Sequence, residues 1–103
     1  MLCAQNGWLA PLPPEGASAI VHRDTTHAPQ MAAAQGIRSR DLLRDGVVDG
    51  VIPEFPDAAE EPTEFAKRVG AAVARELGVL VGQDPTLRYR RRLERYRKLG
   101  LPR

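Results

Sequence analysis

The 103-residue sequence is poor in the side chains that build a large core, with two Phe, one Trp and two Tyr. It also has a single cysteine, Cys3, which has no partner for an internal disulfide, so a disulfide-stapled fold is excluded and a reducing compartment fits. Cys3 lies near a chain end with no local basic setting, and a nucleophilic role is not expected of it. No apolar run approaches the ~20 residues that cross a bilayer, which argues against a membrane-spanning helix. The opening MLCAQNGWLAPLPPEG has neither a basic start nor a continuous apolar segment, so no secretory signal is expected and a cytoplasmic location is. Glycine-rich phosphate loops of either familiar type are missing. Ser18 and His22 stand at helical spacing, but no Gly-x-Ser-x-Gly elbow surrounds Ser18 and no carboxylate is placed to orient the imidazole, which excludes a hydrolase triad. His22, Asp24 and His27 carry metal-ligand atoms. Four residues separate the histidines, however, which misses the i, i+4 face of a helical zinc site, and they read as surface polar residues. No catalytic residue and no metal ligand is expected in this chain.

The sequence is 43% hydrophobic, yet much of that is alanine and the large apolar side chains are scattered. A chain this long is one domain at most. A core made of so few large side chains barely offsets conformational entropy, so a partner surface is expected. Charge is unevenly spread: residues 85–103 carry eight Arg or Lys against one acid, Glu94, whereas residues 1–84 carry seven bases and twelve acids. Such asymmetry suggests a basic helix docked on an acidic surface, its own or a partner's. Arginines interleaved with Tyr89 and Tyr96 also suit nucleic-acid contact, but no helix-turn-helix, zinc-finger or RNA-recognition signature accompanies them, and that reading is disfavoured.

The most informative stretch is Ala28 to Glu54. Pro29 suits a first helical position and Gly36 a left-handed close, which predicts one helix between them. Ser39 is the expected cap of a second helix, with Leu42 and Leu43 facing inward, Arg40, Asp41 and Arg44 in water, and Gly46 as the stop. Val47, Val48, Val51 and Ile52 predict a buried strand ended by Pro53. Upstream, residues 1–14 read as an extended lead-in in which Trp8, Leu9 and Leu12 form a short edge strand or apolar strap. Glu15 to His22 reads as a short helix, and His22 to His27 as a polar linker. Gly16 allows close approach at that helix start, for which tight helix packing is the preferred reading. Downstream, Phe55 to Pro62 reads as an acidic loop. Phe65, Val69, Ala72, Val73 and Leu77 form one apolar stripe on a helix closed by Gly78, with Gly70 marking close packing. Asp84 and Pro85 open a last helix running to about Leu99, with Tyr89, Leu93 and Tyr96 on one face.

An alanine-rich helix, a glycine, a second short helix and then Gly-Val-Val-Asp-Gly-Val-Ile-Pro-Glu (residues 46–54) resembles the closing segment of the crotonase superfamily, where a Gly-Leu-Val-Asp-x-Val-Val-Pro stretch recurs. Pro14-Glu15-Gly16-Ala17-Ser18-Ala19-Ile20 before it and the arginine-rich helix after it are similar to the carboxyltransferase alpha subunit of bacterial acetyl-CoA carboxylase, or to the alpha-like half of a fused beta/alpha chain. The similarity runs from about Asn6 to Gly100 and covers a C-terminal portion of such a subunit.

The resemblance implies an α/β fold class: a C-terminal fragment of a crotonase-like (ClpP/crotonase) fold, mostly helical with one or two short strands. Residues 1–103 would be one partial carboxyltransferase region, with a lead-in over 1–14, core helices and strand over 15–54 and two carboxy-terminal helices over 62–99. It implies transfer of a carboxyl group from carboxybiotin to acetyl-CoA, giving malonyl-CoA for fatty-acid synthesis. Both are substrates of the parent enzyme, and this chain binds no cofactor of its own. Backbone N–H groups in glycine-rich turns stabilise the charge that develops in such chemistry. Gly16 and Ala17 would help shape an acyl or biotin pocket. The implied partners are the carboxyltransferase beta subunit or a fused beta-like domain and the biotin carboxyl carrier protein, in an oligomeric complex away from membranes. The glycine-rich oxyanion segment lies upstream of the Pro-Glu-Gly motif in the family, so the chain alone is expected to be inactive. A small helical protein-interaction module using the Phe65 to Leu77 stripe is the alternative.

Overall fold

Prolines set the starts of four helices. Pro14, Pro29, Pro62 and Pro85 each occupy a first or second helical position, where a missing N–H costs nothing. A computed structural model describes residues 1–100. In chain order it contains β1 (Leu2–Ala4), α1 (Pro14–His22), α2 (Ala28–Gln35), α3 (Ser39–Arg44), β2 (Gly50–Ile52), a 3-10 turn (Ala58–Glu60), α4 (Pro62–Val81) and α5 (Pro85–Lys98). The molecule is thus mostly helical with one small parallel sheet, compatible with an α/β class.

The sheet pairs Leu2 with Gly50, Cys3 with Val51 and Ala4 with Ile52. The strand expected over Val47–Ile52 is therefore shorter, because Val47 and Val48 are consumed in closing α3: both amides donate to the Leu42 carbonyl, at 2.9 and 3.3 Å. Its mate is also displaced from the expected position. Leu2–Ala4 forms the strand, while Trp8 makes only an isolated bridge with Arg38 and the Leu9 amide donates to the Ile37 carbonyl at 3.0 Å.

Gly36 closes α2 with φ 62°, as its position predicts. Ser39 differs from its expected role. Arg38 is the residue before α3, and the Ser39 hydroxyl instead donates to the Gln5 carbonyl at 2.6 Å, tying α3 to the lead-in. Leu42 is buried but Leu43 is 44% exposed, and Asp41 is buried rather than in water. Arg38 and Arg44 clasp the Asp41 carboxylate at 3.1 and 3.3 Å, which offsets its desolvation.

α4 runs three residues beyond Gly78, to Val81, with Gly82 after it. A lone glycine costs about 1 kcal/mol in a helix, too little to stop one whose neighbours continue it. Gly70 is not a packing contact either, since a Cβ there would meet nothing within 4 Å. α4 is fastened at its amino end. Arg68 donates to the Pro53 carbonyl at 3.0 Å, pairs with Glu61 and lies 4.9 Å over the Phe55 ring. Asp84 caps α5 by accepting from the Leu87 amide at 2.9 Å.

The core is small: Ala17, Ile37, Leu42, Val48, Ile52 and Ala72 are its buried apolar residues among those described. The radius of gyration is 16.8 Å, against about 13 Å for a compact chain of this length. The accessible surface is 7614 Å², against roughly 5700 Å² for a compact monomer of this mass. About 1900 Å² more than usual is left open.

Candidate functional site

The cleft nearest the motif Pro14 to Ile20 lies between the lead-in and the first three helices, with a volume of about 930 Å³. Asn6 and Trp8 form one wall, Pro14 and Glu15 the start of α1, Ala32 and Ala33 the floor from α2, and Arg38 and Arg40 the entry to α3. Small residues on α2, Ala32 and Ala33, leave room in the cleft. Arg38 and Arg40 bring positive charge to the cleft and Glu15 negative charge, beside the apolar Trp8, Pro14 and Leu43.

Gly16 and Ala17 do not line this cleft; they follow directly on Pro14 and Glu15, which do. A Cβ on Gly16 would press on the Leu12 side chain at 3.3 Å, and Ala17 is 5% exposed. Gly16 thus sets how closely α1 approaches Leu12 of the lead-in.

A polar knot holds the cleft's base. Glu54 is buried, and its carboxylate oxygens accept from the Asn6 amide at 2.7 Å and the Ala58 amide at 2.8 Å. Gln5 bonds back to the same strand end, its amide to the Ile52 carbonyl at 2.8 Å and its side chain to the Glu54 amide at 3.2 Å. The sequence gives one local hint of this: Glu54 directly follows the strand-ending proline. Ala58 lies only four positions downstream, but Asn6 lies 48 positions upstream, where no local pattern reaches.

Ser18 is fully buried, and its hydroxyl donates to the Asp24 carbonyl at 2.5 Å and accepts from the His27 amide at 3.1 Å. Its partners are loop backbone, and the His22 ring stacks on His27 with centroids 3.9 Å apart. Hydrogen bonds from the Thr26 hydroxyl and amide, then from His27, hold the Asp24 carboxyl below its ordinary range. Among the described residues no group of three or more His, Cys, Asp or Glu gathers as metal ligands.

The basic helix docks partly on the chain's own acid. Arg95 bonds Asp49 at 2.6 Å and the Gly46 and Val47 carbonyls at 3.2 and 2.5 Å. Asp49 is thus bound by Arg95 and by the Met1 amine. Burial raises its pKa, but bonds from the amine and Arg95 outweigh this and leave it lowered. Arg103, counted in the basic tail, lies outside the described residues. Among those described, no helix is long and apolar enough to cross a membrane.

The sequence model of the acetyl co-enzyme A carboxylase carboxyltransferase-like family matches residues 1–100, and the chain belongs to that family. It is 60% identical, over all 103 residues, to a probable biotin-dependent acyl-coenzyme A carboxylase beta3 subunit of Mycobacterium tuberculosis, 21% of whose length it covers. It is 37% identical over 97 residues, 93% of this chain and 30% of the relative, to the acetyl-coenzyme A carboxylase carboxyl transferase subunit alpha of Rubrobacter xylanophilus. The Thermus thermophilus subunit of the same name is 34% identical over 101 residues, 97% of this chain and 32% of the relative. The chain therefore spans a fifth to a third of the length of these relatives.

Proposed function

We propose that this chain is part of a biotin-dependent carboxyltransferase that moves a carboxyl group from carboxybiotin to acetyl-CoA, forming malonyl-CoA for fatty-acid synthesis. The observation that carries the reading is family membership over nearly the whole chain, joined to an open fold that leaves apolar surface uncovered. In this reading the fold is a piece of a crotonase-like domain, and β1 and β2 are the margin of a larger sheet. Its partners are the beta subunit, or a beta-like domain fused to it, and the biotin carboxyl carrier protein, in the cytoplasm. Gly16 and Ala17 act as backing for the acyl or biotin pocket, with Gly16 letting α1 approach Leu12 of the lead-in closely.

Transfer proceeds through an enolate and a biotin urea oxygen that gain negative charge, and both are stabilised by fixed N–H donors rather than by a titrating base. The chain contributes positioning and part of a wall, and by itself turns over nothing. Decarboxylation of malonyl-CoA by the purified chain tests this. No turnover is expected, and sustained turnover would refute it.

A reading as a protein-interaction module draws on the exposed apolar face of α4 and is compatible with membership in a larger enzyme. Nucleic-acid binding is weaker, because Arg95 is already spent on Asp49. Salt-dependent binding of RNA or DNA by residues 85–98 would be needed to support it.

A further inference from the structure

Ser18 stands in the middle of α1 and is fully buried. A hydroxyl inside a helix commonly bonds a carbonyl one turn back or points to water. This one does neither. It donates to the Asp24 carbonyl at 2.5 Å and accepts from the His27 amide at 3.1 Å, both in the connection between α1 and α2. Asp24 and His27 stand at i and i+3, the pair whose carbonyl and amide bond each other directly in a closed β-turn. The serine oxygen takes that place, so the connection closes through α1 rather than on itself.

The connection is held in one shape. The Asp24 side chain accepts from the Thr26 amide and hydroxyl at 3.0 and 2.7 Å. Arg23 adopts φ 62°, a left-handed conformation that a residue with a Cβ keeps only where its surroundings impose it. Around the axis of α1, Gly16 and Ser18 stand about 200° apart, on opposite sides. Leu12 lies against the Gly16 side, where a Cβ would meet it at 3.3 Å, and the connection grips the Ser18 side. Ala17 is buried between them. The seat of α1 is therefore set from both sides, and losing one contact frees the helix to shift against the other.

We propose that Ser18 is a positioning residue for carboxyl transfer: it fixes the seat of α1 and, through it, the Gly16 and Ala17 backing of the pocket. The proposal deepens the carboxyltransferase reading and rests on it. Placement matters to the rate, since a displacement of about 1 Å can cost a hundredfold even when its origin is remote from the reacting atoms. In Ser18→Ala the Asp24 carbonyl and the His27 amide are left to bond each other, which closes the connection but no longer ties it to α1.

The test grafts this chain in place of the matching region of a full-length carboxyltransferase relative and follows carboxyl transfer from malonyl-CoA to free biotin, yielding acetyl-CoA and carboxybiotin. The unaltered graft is expected to turn over. Ser18→Ala is expected to lower kcat about tenfold while KM for malonyl-CoA and for biotin changes less than about twofold. Ala72→Gly, at a buried position on a different helix, is the stability control, and at a temperature where every graft is folded it should keep kcat within about twofold. Ser18→Cys fills the space and keeps a weaker donor; its kcat should fall between those of serine and alanine, and it stands in if Ser18→Ala does not fold. Ser18→Ala turning over as fast as the control, or a change confined to KM, overturns the proposal and leaves the carboxyltransferase reading intact. An inactive unaltered graft overturns that reading and this proposal with it.

Discussion

Glu54 offers the sharpest test of how this open fold is held. Among the described residues its buried carboxylate pairs with no arginine or lysine; it accepts one backbone amide from residue 6 and one from residue 58, joining the lead-in, the strand end and the turn before α4. Replacing it with glutamine keeps the volume but turns an NH2 toward one of those amides, so one charge-assisted bond is lost and a buried N–H faces another donor. Each such bond contributes about 1.5–3 kcal/mol, and partial solvation of Asn6 places the expected loss near 2 kcal/mol. For a domain of this size that lowers Tm by roughly 10 °C. Glu54→Ala strands both amides and is expected to lose about 3–5 kcal/mol. Glu64→Gln is the control: Glu64 is exposed, its pairing with Lys67 at 3.1 Å is a surface contact, and its loss should stay within about 0.5 kcal/mol. Urea unfolding of the three variants at one fixed protein concentration measures this. Glu54→Gln matching the control would refute the claim that this knot holds the fold.

Ser18→Ala removes a hydroxyl that both donates and accepts in a fully buried place, and a loss of about 1–3 kcal/mol is expected with faster amide exchange in residues 23–27. Arg95→Ala frees α5 from Asp49 and two carbonyls; because the pair is partly exposed, about 1 kcal/mol or less is expected, with exchange rising over 85–98 and the difference shrinking in high salt. The carboxyls of Asp24 and Asp49 lie below their ordinary value of 3.8, so their contribution is complete above that pH and is lost as pH falls through the lower folded values. Acid unfolding should therefore set in below about pH 4, and Asp49→Asn should flatten that limb of the stability curve.

Much of the helical order was legible locally, because proline at a first turn, Asp84 as a cap and Gly36 beyond α2 act over three or four residues. What escaped depends on distance. Leu2–Ala4 is too short to show alternation and becomes a strand only by meeting Gly50–Ile52. Asp41 read as a surface acid, but the fold buries it between Arg38 and Arg44, and Glu54 is held by Asn6 from 48 positions away. Leu43 read as core because the pattern gives a helix face but not how much of it is covered. The stripe on α4 was legible in the same way: the pattern showed its apolar side, and the structure buries Ala72, half-buries Phe65 and Val69, and leaves Val73 and Leu77 exposed. The site was legible only as the motif Pro14 to Ile20. Trp8, Arg38 and Arg40, which share its cleft, come from segments the motif does not include.

The central claim is that this chain is one part of a carboxyl-transferring enzyme. Reconstitution tests it most directly: the purified chain is titrated into a carboxyltransferase relative from which the matching region has been removed, and malonyl-CoA decarboxylation is followed. Turnover should rise from none and saturate at one chain per truncated polypeptide, and Gly16→Val should blunt that rise. No restored turnover although the two polypeptides bind, or turnover by the chain alone, would contradict the account.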